Sequence, residues 1–188
     1  MSWPDPITLR PLMEMNADLD PKFYGETRFG ELRVFWVKKG DFTFMPESGF
    51  EGTSGELVGG SSDWTIRSVD KYTMDLDVRG LLKVTAPEPA YIHIFYQGTV
   101  AFDDETIATL IAKQKCPYET SSFMTQPRFQ TIVNTAVGNA VPDRYARLDT
   151  IVAVAHGELD GDTLRYRIYE AVNTRASPQQ VPPRPIIP

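Results

Sequence analysis

From residue 72 to residue 84 the chain alternates apolar and polar side chains, and no other segment constrains the fold as strongly. Tyr72, Met74, Leu76, Val78, Leu82 and Val84 fall on one side of an extended chain, with Thr73, Asp75, Asp77, Arg79 and Lys83 on the other. A period of two is the signature of a β-strand with unlike faces. Upstream, Gly59-Gly60-Ser61-Ser62-Asp63-Trp64 reads as a tight turn that feeds another strand, with Arg67 further along it. Acids and arginines alternating along extended chain place several charges on one sheet face. A sheet that buries charge surrounds a polar cavity, so the expectation is a ligand-holding β-structure.

The remaining segments extend this reading. Residues 31–37 and 41–45 form a hairpin around Lys38-Lys39-Gly40-Asp41, and residues 91–100 are apolar on both faces, as a central strand would be. Residues 103–115 form the one helix, capped by Asp103 or Asp104. Residues 123–133 are extended, with Pro127 favouring an edge or a bend. Residues 145–157 and 163–172 pair as a last hairpin through Leu159-Asp160-Gly161-Asp162. The fold expected is mainly β: a single-domain antiparallel β-barrel of about eight to ten strands with one helix. Residues 1–30 are read as an N-terminal extension, 31–172 as the barrel and 173–188 as a Pro-rich C-terminal arm.

Composition narrows the chemistry. A chain of 188 residues, 41% hydrophobic and 23% charged, suits one soluble domain. A formal net charge of −6 disfavours nucleic acid and anionic membrane as partners. No apolar run approaches the ~20 residues that span a bilayer. The amino terminus lacks the basic and apolar regions of a secretory signal, which points to the cytoplasm. One cysteine, Cys116, excludes an internal disulfide and a multi-cysteine zinc site, and His93 and His156 are the only imidazoles. Neither a metal nor a cofactor is expected, and no phosphate loop, dinucleotide fingerprint or Ser-His-Asp order is present. What remains is acid–base work by carboxylate, tyrosine and arginine.

Several residues are candidates for it. Asp77 and Arg79, two apart on a strand, share a face about 7 Å apart. Asp77 is then a general base held ionised by Arg79, or Arg79 is an anion clamp, or the pair is an internal charge network. Tyr96 shares a face with Ile92 and Ile94, where it either hydrogen-bonds a ligand oxygen or packs with its hydroxyl at the rim. Asp63 and Trp64 fix a turn and plug the barrel floor, unless Trp64 stacks on an aromatic ligand. Arg67 and Arg128 suit a carboxylate or phenolate, or else lie on a solvated edge. His156, next to Gly157, could reach the barrel mouth. His93 and Cys116 read as structural.

The ordered set Gly59-Gly60-Ser61-Ser62-Asp63-Trp64, Arg67, Leu76-Asp77-Val78-Arg79, Gly98, Phe123-Met124-Thr125-Gln126-Pro127-Arg128-Phe129-Gln130-Thr131, Tyr145 with Leu148, and Gly157 resembles the domain of unknown function 3237 family. The resemblance covers roughly residues 32–172. It implies an antiparallel barrel, similar in outline to lipocalin-like barrels, with a polar pocket in its mouth. The family's activity is unsettled, so function does not come with the fold. The chain departs from the family pattern in carrying Tyr96 for Asn, Gln130 for Glu, and Arg147-Leu148-Asp149 for Trp-Leu-Asn. These replacements look like a retuned pocket. Asp149, in place of an amide within an apolar pocket, would have a raised pKa suited to proton transfer; exposed at a strand end, it would not.

The function expected is a cofactor-independent lyase or isomerase acting on an aromatic or phenolic small molecule. Asp77 or Asp149 would move the proton and Tyr96 would orient or protonate an oxygen. Arg79, Arg67, Trp64, Phe123, Arg128 and His156 would hold the substrate. Carbon–carbon cleavage with release of formaldehyde needs no more apparatus than this. The alternative is a non-catalytic carrier or sensor barrel. Self-association into a dimer or larger homo-oligomer is also expected, with an apolar sheet face covered by another copy.

Overall fold

The period-two segment forms β5 (Thr73–Ala86), and its apolar side turns inward: Leu76, Leu82 and Val84 are buried while Asp75 and Arg79 are exposed. In this computed structural model, which describes residues 7–70, 72–112, 114–119, 123–132 and 143–173, β5 is the spine of a ten-stranded antiparallel sheet. The other strands are β1 (Ile7–Thr27), β2 (Gly30–Phe44), β3 (Ser54–Leu57), β4 (Ser62–Ser68), β6 (Ala90–Ala101), β7 (Met124–Thr125), β8 (Arg128–Ile132), β9 (Ala153–Asp160) and β10 (Thr163–Asn173). Helix α1 (Asp104–Ile111) follows β6, and Asp103 caps it by accepting the Thr106 N–H at 2.7 Å. A short helix α2 (Asp143–Ala146) runs into a 3-10 turn (Arg147–Thr150).

The strand order is β7-β9-β10-β1-β2-β3-β5-β6-β8, with β4 also lying between β2 and β5. Its two outer members, β7 and β8, are separated in sequence by Gln126 and Pro127 alone. One bent segment therefore pairs with β9 at one end and β6 at the other, and the sheet closes into a barrel. Proline, with no N–H to give a ladder, sits at the bend.

Two boundaries differ from the sequence reading. Residues 7–27, expected to lie in an extension, are the longest strand, paired with β10 on one side and β2 on the other. Its prolines are tolerated because Pro11 flanks a register shift against β10, and Pro21 lies beyond Asp18, where only β2 pairs with the strand. Residues 145–150, expected as strand, are helical, and β9 begins at Ala153. The proline-rich arm beyond residue 173 lies outside the described residues. Among the described residues no helix is long and apolar enough to cross a membrane.

The barrel is filled unevenly. Leu12, Phe42, Phe44, Phe50, Tyr145 and Leu148 pack one end solid. Here Glu170 accepts from Arg10 at 2.6 Å and from Arg147 at 2.7 Å. Arg147 also donates to the Ser48 carbonyl at 2.6 Å and lies 4.7 Å over the Phe50 ring, so it fastens the 3-10 turn to the closed end. Leu76, Tyr96, Val100, Phe102 and Phe123 form a second cluster around the other end, which is hollow.

Candidate active site

Register sets the site out in layers. Phe35, Asp63, Val78 and Tyr96 are successive cross-strand partners on β2, β4, β5 and β6, and all four border one cavity of about 410 Å³. Two residues further toward the open end come Arg33, Thr65, Leu76 and Gly98 in the same relation. Two further still come Glu31, Arg67, Met74 and Val100. Successive layers are about 7 Å apart along the strands. The cavity falls within the size range of small-molecule sites, and its wall is largely apolar.

The polar floor is small and unusual. Asp63 Oδ1 is buried and has no hydrogen-bond partner. Burial pushes the Asp63 carboxyl from its ordinary 3.8 up to about 7; the Asp77 main-chain N–H opposes the rise and the Asp77 carboxylate adds to it. Near neutrality this group is partly protonated, as a general acid or base must be.

Beside it the Tyr96 hydroxyl donates to that of Tyr166 at 3.0 Å. Burial pushes the Tyr166 hydroxyl up to about 12, with the Asp63 charge adding to the rise and the Tyr96 bond opposing it. Burial raises Tyr96 well above its usual range, with the nearby Tyr166 and Asp63 adding to the effect. Both phenols therefore stay protonated at neutral pH. One O–H is spent within the pair, which leaves one to offer a third oxygen.

Two glycines make room for this floor. A Cβ on Gly157 would meet Tyr166 Cε1 at 2.8 Å and Phe123 Cβ at 3.1 Å, and one on Gly80 would meet Ile94 Cγ2 at 2.9 Å. Gly157 is the cross-strand partner of Tyr166, so the bare backbone is what lets that ring lie flat against β9.

Of the residues expected at the site, Tyr96, Phe123, Arg67 and Arg79 border the cavity. Arg79 and the remaining residues do not serve it as expected. Asp77 and Arg79 pair with each other at 3.2 Å on the outer face, with side chains 38% and 69% exposed; Arg79 touches the cavity wall, but its guanidinium is spent outside. The apolar side of β5 had to face in, and that sent its charges to water. Asp149 lies on the 3-10 turn away from the cavity and accepts the Thr131 N–H at 2.6 Å and the Thr131 hydroxyl at 3.1 Å, anchoring β8. Trp64, 48% exposed, stacks on Tyr24 at 6.5 Å and meets Trp36 edge-on at 6.3 Å, an aromatic cluster on the outside of the barrel. It does not border the cavity and so does not plug its floor. Arg128 is exposed on β8, and His156 packs edge-on against Tyr118 at 5.4 Å, away from the cavity.

Tyr166 and Arg33 are cavity residues that the sequence reading passed over, and Asp63, read as fixing a turn at the barrel floor, was given no chemistry there. Signals for them existed: Asp63 and Arg67 share a strand face, and Tyr166 opposes Gly157 across the Asp-Gly hairpin. Among the described residues no three histidines, cysteines or carboxylates converge as a metal ion requires.

The chain matches the family described as Protein of unknown function (DUF3237) over residues 7–171. It belongs to that family. The match begins where β1 begins, which agrees with β1 being part of the barrel and not an extension. Solved structures share the fold. A protein of unknown function from Rhodopseudomonas palustris, 16% identical, superposes with a TM-score of 0.72 over 89% of this chain and 99% of its own. A beta-barrel like protein from Acinetobacter baumannii, 22% identical, gives 0.66 over 90% and 99%. A structure described as an enzyme from Penicillium herquei, 15% identical, gives 0.57 over 92% and 99%. No curated protein matches the chain significantly.

Proposed function

We propose that this DUF3237 barrel is a lyase or isomerase that works by acid–base chemistry on an aromatic or phenolic small molecule held in the cavity. The observation that carries the reading is Asp63: a buried carboxyl with an unpartnered oxygen, facing a cavity beside a hydrogen-bonded tyrosine pair. Asp63 takes the place that Asp77 and Asp149 were expected to fill. In the ionised form it accepts a proton from a C–H next to a carbonyl or from a hydroxymethyl O–H. The free O–H of the Tyr96–Tyr166 pair donates to the oxygen that gains negative charge, without itself ionising. For a hydroxymethyl substrate, loss of that proton breaks the carbon–carbon bond, releases formaldehyde and leaves a carbanion that Asp63 reprotonates. That an enzyme from Penicillium herquei has this fold is compatible with catalysis here and assigns no reaction.

The test is proton exchange. Wild-type protein is incubated in deuterated buffer with 4-hydroxyphenylacetone and with phenolic hydroxymethyl compounds, and exchange and products are followed by NMR and mass spectrometry. Asp63→Asn is expected to lower the rate at least about 100-fold, and Tyr96→Phe by less. An unchanged rate in Asp63→Asn overturns the assignment. The largely apolar wall also suits a carrier. Saturable binding with neither exchange nor product, in wild type and Asp63→Asn alike, would favour that reading.

A further inference from the structure

Resting on the reading that the cavity holds a small aromatic molecule, we propose that Arg33 and Arg67 form a carboxylate-binding subsite at its open end. The ligand is then an elongated aromatic acid whose acid group points away from Asp63.

Both arginines border the cavity, from β2 and β4. Glu31 is the cross-strand partner of Arg67 and Thr65 that of Arg33, so the two arginines are diagonal neighbours with backbones about 7–8 Å apart. Neither is fully satisfied. Arg33 Nη2 donates to Glu31 Oε2 at 2.8 Å, but Arg33 Nε is buried with no hydrogen-bond partner. Arg67 forms no ion pair among the described residues. Two guanidiniums that border one cavity, with donors unused, are set to receive a planar anion.

The two guanidiniums outnumber the one carboxylate paired with them, an arrangement that suits an anionic group. Asp162 and Arg79 border the cavity as well. Asp162 lies on the β9–β10 turn, where its carbonyl accepts the Leu19 N–H at 2.8 Å, and Arg79 is committed to Asp77. Asp63 lies four residues from Arg67 on the same strand face, about 13 Å along it. Between the cationic and acidic ends the wall is apolar, with Leu76, Val78, Phe102 and Phe123. A site with cations at its mouth, rings along its side and a proton-exchanging floor fits a phenol or ketone joined to a distant carboxylate.

The experiment compares 4-coumarate with methyl 4-coumarate by titration calorimetry at neutral pH, with sodium phosphate as a competitor. The acid is expected to bind at least about tenfold more tightly than its ester. Arg67→Ala and Arg33→Ala should each reduce that preference below about threefold, and Arg67→Lys should keep part of it. Thermal melts establish that the variants fold. Asp63→Asn should keep the acid preference, because the two ends are separate. Equal binding of acid and ester, binding of neither, or a preference that survives Arg33→Ala/Arg67→Ala overturns the proposal. Inorganic phosphate that displaces 4-coumarate at equal concentration does so too, since the site would then be one for phosphate. Loss of proton exchange in Asp63→Asn without any acid preference sinks the subsite and spares the base. An acid preference with exchange undiminished in Asp63→Asn supports the subsite and sinks the base.

Discussion

Replacing Asp63 by Asn should stabilise the protein, and by an amount that grows with pH. The Asp63 carboxyl ionises near 3.8 in the unfolded chain and near 7 in the barrel. Between those values the folded state holds a proton that the unfolded state has lost, so this group's contribution to stability falls as pH rises from about 4 to about 7 and is constant beyond. The full difference of about three pH units corresponds to about 4 kcal/mol, and water in the open cavity screens part of it, to between about 2 and 4 kcal/mol. At pH 4 the carboxyl is neutral in the barrel, and an amide of the same shape is close to its equal. Urea unfolding of wild type and Asp63→Asn from pH 4 to pH 9 isolates the term, because every other titrating group is common to both proteins. The stability difference should be small at pH 4, rise through pH 7 and then level off. A difference independent of pH, or a variant less stable than wild type at pH 8, refutes the reasoning.

Other consequences are smaller in scope. Gly157→Ala should cost about 1–3 kcal/mol in denaturant unfolding and disturb the Tyr96–Tyr166 contact, since its Cβ would stand 2.8 Å from the Tyr166 ring; an unaltered midpoint would mean that β9 yields freely there. Glu170→Ala leaves Arg10 and Arg147 without their shared carboxylate at the closed end and should cost about 2 kcal/mol at neutral pH. Burial works against ionisation of Glu170, yet Arg147 and Arg10 hold its carboxyl below the usual range, so its contribution is present above about pH 5 and is lost on acidification; a variant equal to wild type at pH 7 contradicts this. Trp64→Ala should leave ligand affinity within about twofold of wild type while lowering the melting temperature, because the ring packs outside the barrel on Tyr24 and Trp36. A tenfold loss of affinity would return Trp64 to the ligand site.

The sheet was legible wherever one strand face meets the core. In β5 the alternation of Met74, Leu76 and Val78 with Asp75, Asp77 and Arg79 gave the strand and its two faces correctly. The inference that the charged face lines a cavity was the step that failed, since the apolar face is the one a barrel turns inward. β4 shows the opposite difficulty. Trp64 and Ile66 on one face and Asp63, Thr65 and Arg67 on the other invite a reader to bury the tryptophan. The barrel instead turns the polar face toward its cavity, while Tyr24 and Trp36 flank the tryptophan outside. Those neighbours come from β1 and β2, about thirty to forty residues away, and no local pattern contains them. β1 was missed although Met13, Met15, Ala17 and Leu19 alternate through it and all are buried; Pro11 and Pro21 interrupt the pattern on either side. The floor of the site joins Asp63, Tyr96 and Tyr166 across more than a hundred residues of sequence, a contact that only barrel closure creates.

The measurement that bears most directly on the account is the titration of Asp63 itself. The carboxyl carbon signal that disappears from the spectrum of ¹³C-labelled aspartate in Asp63→Asn identifies the group, and its shift is then followed in wild type from pH 3 to pH 9. A midpoint near pH 7 is predicted. A midpoint near 4 would mean that water and hydrogen bonds stabilise an ordinary carboxylate there, and the cavity floor would have no base.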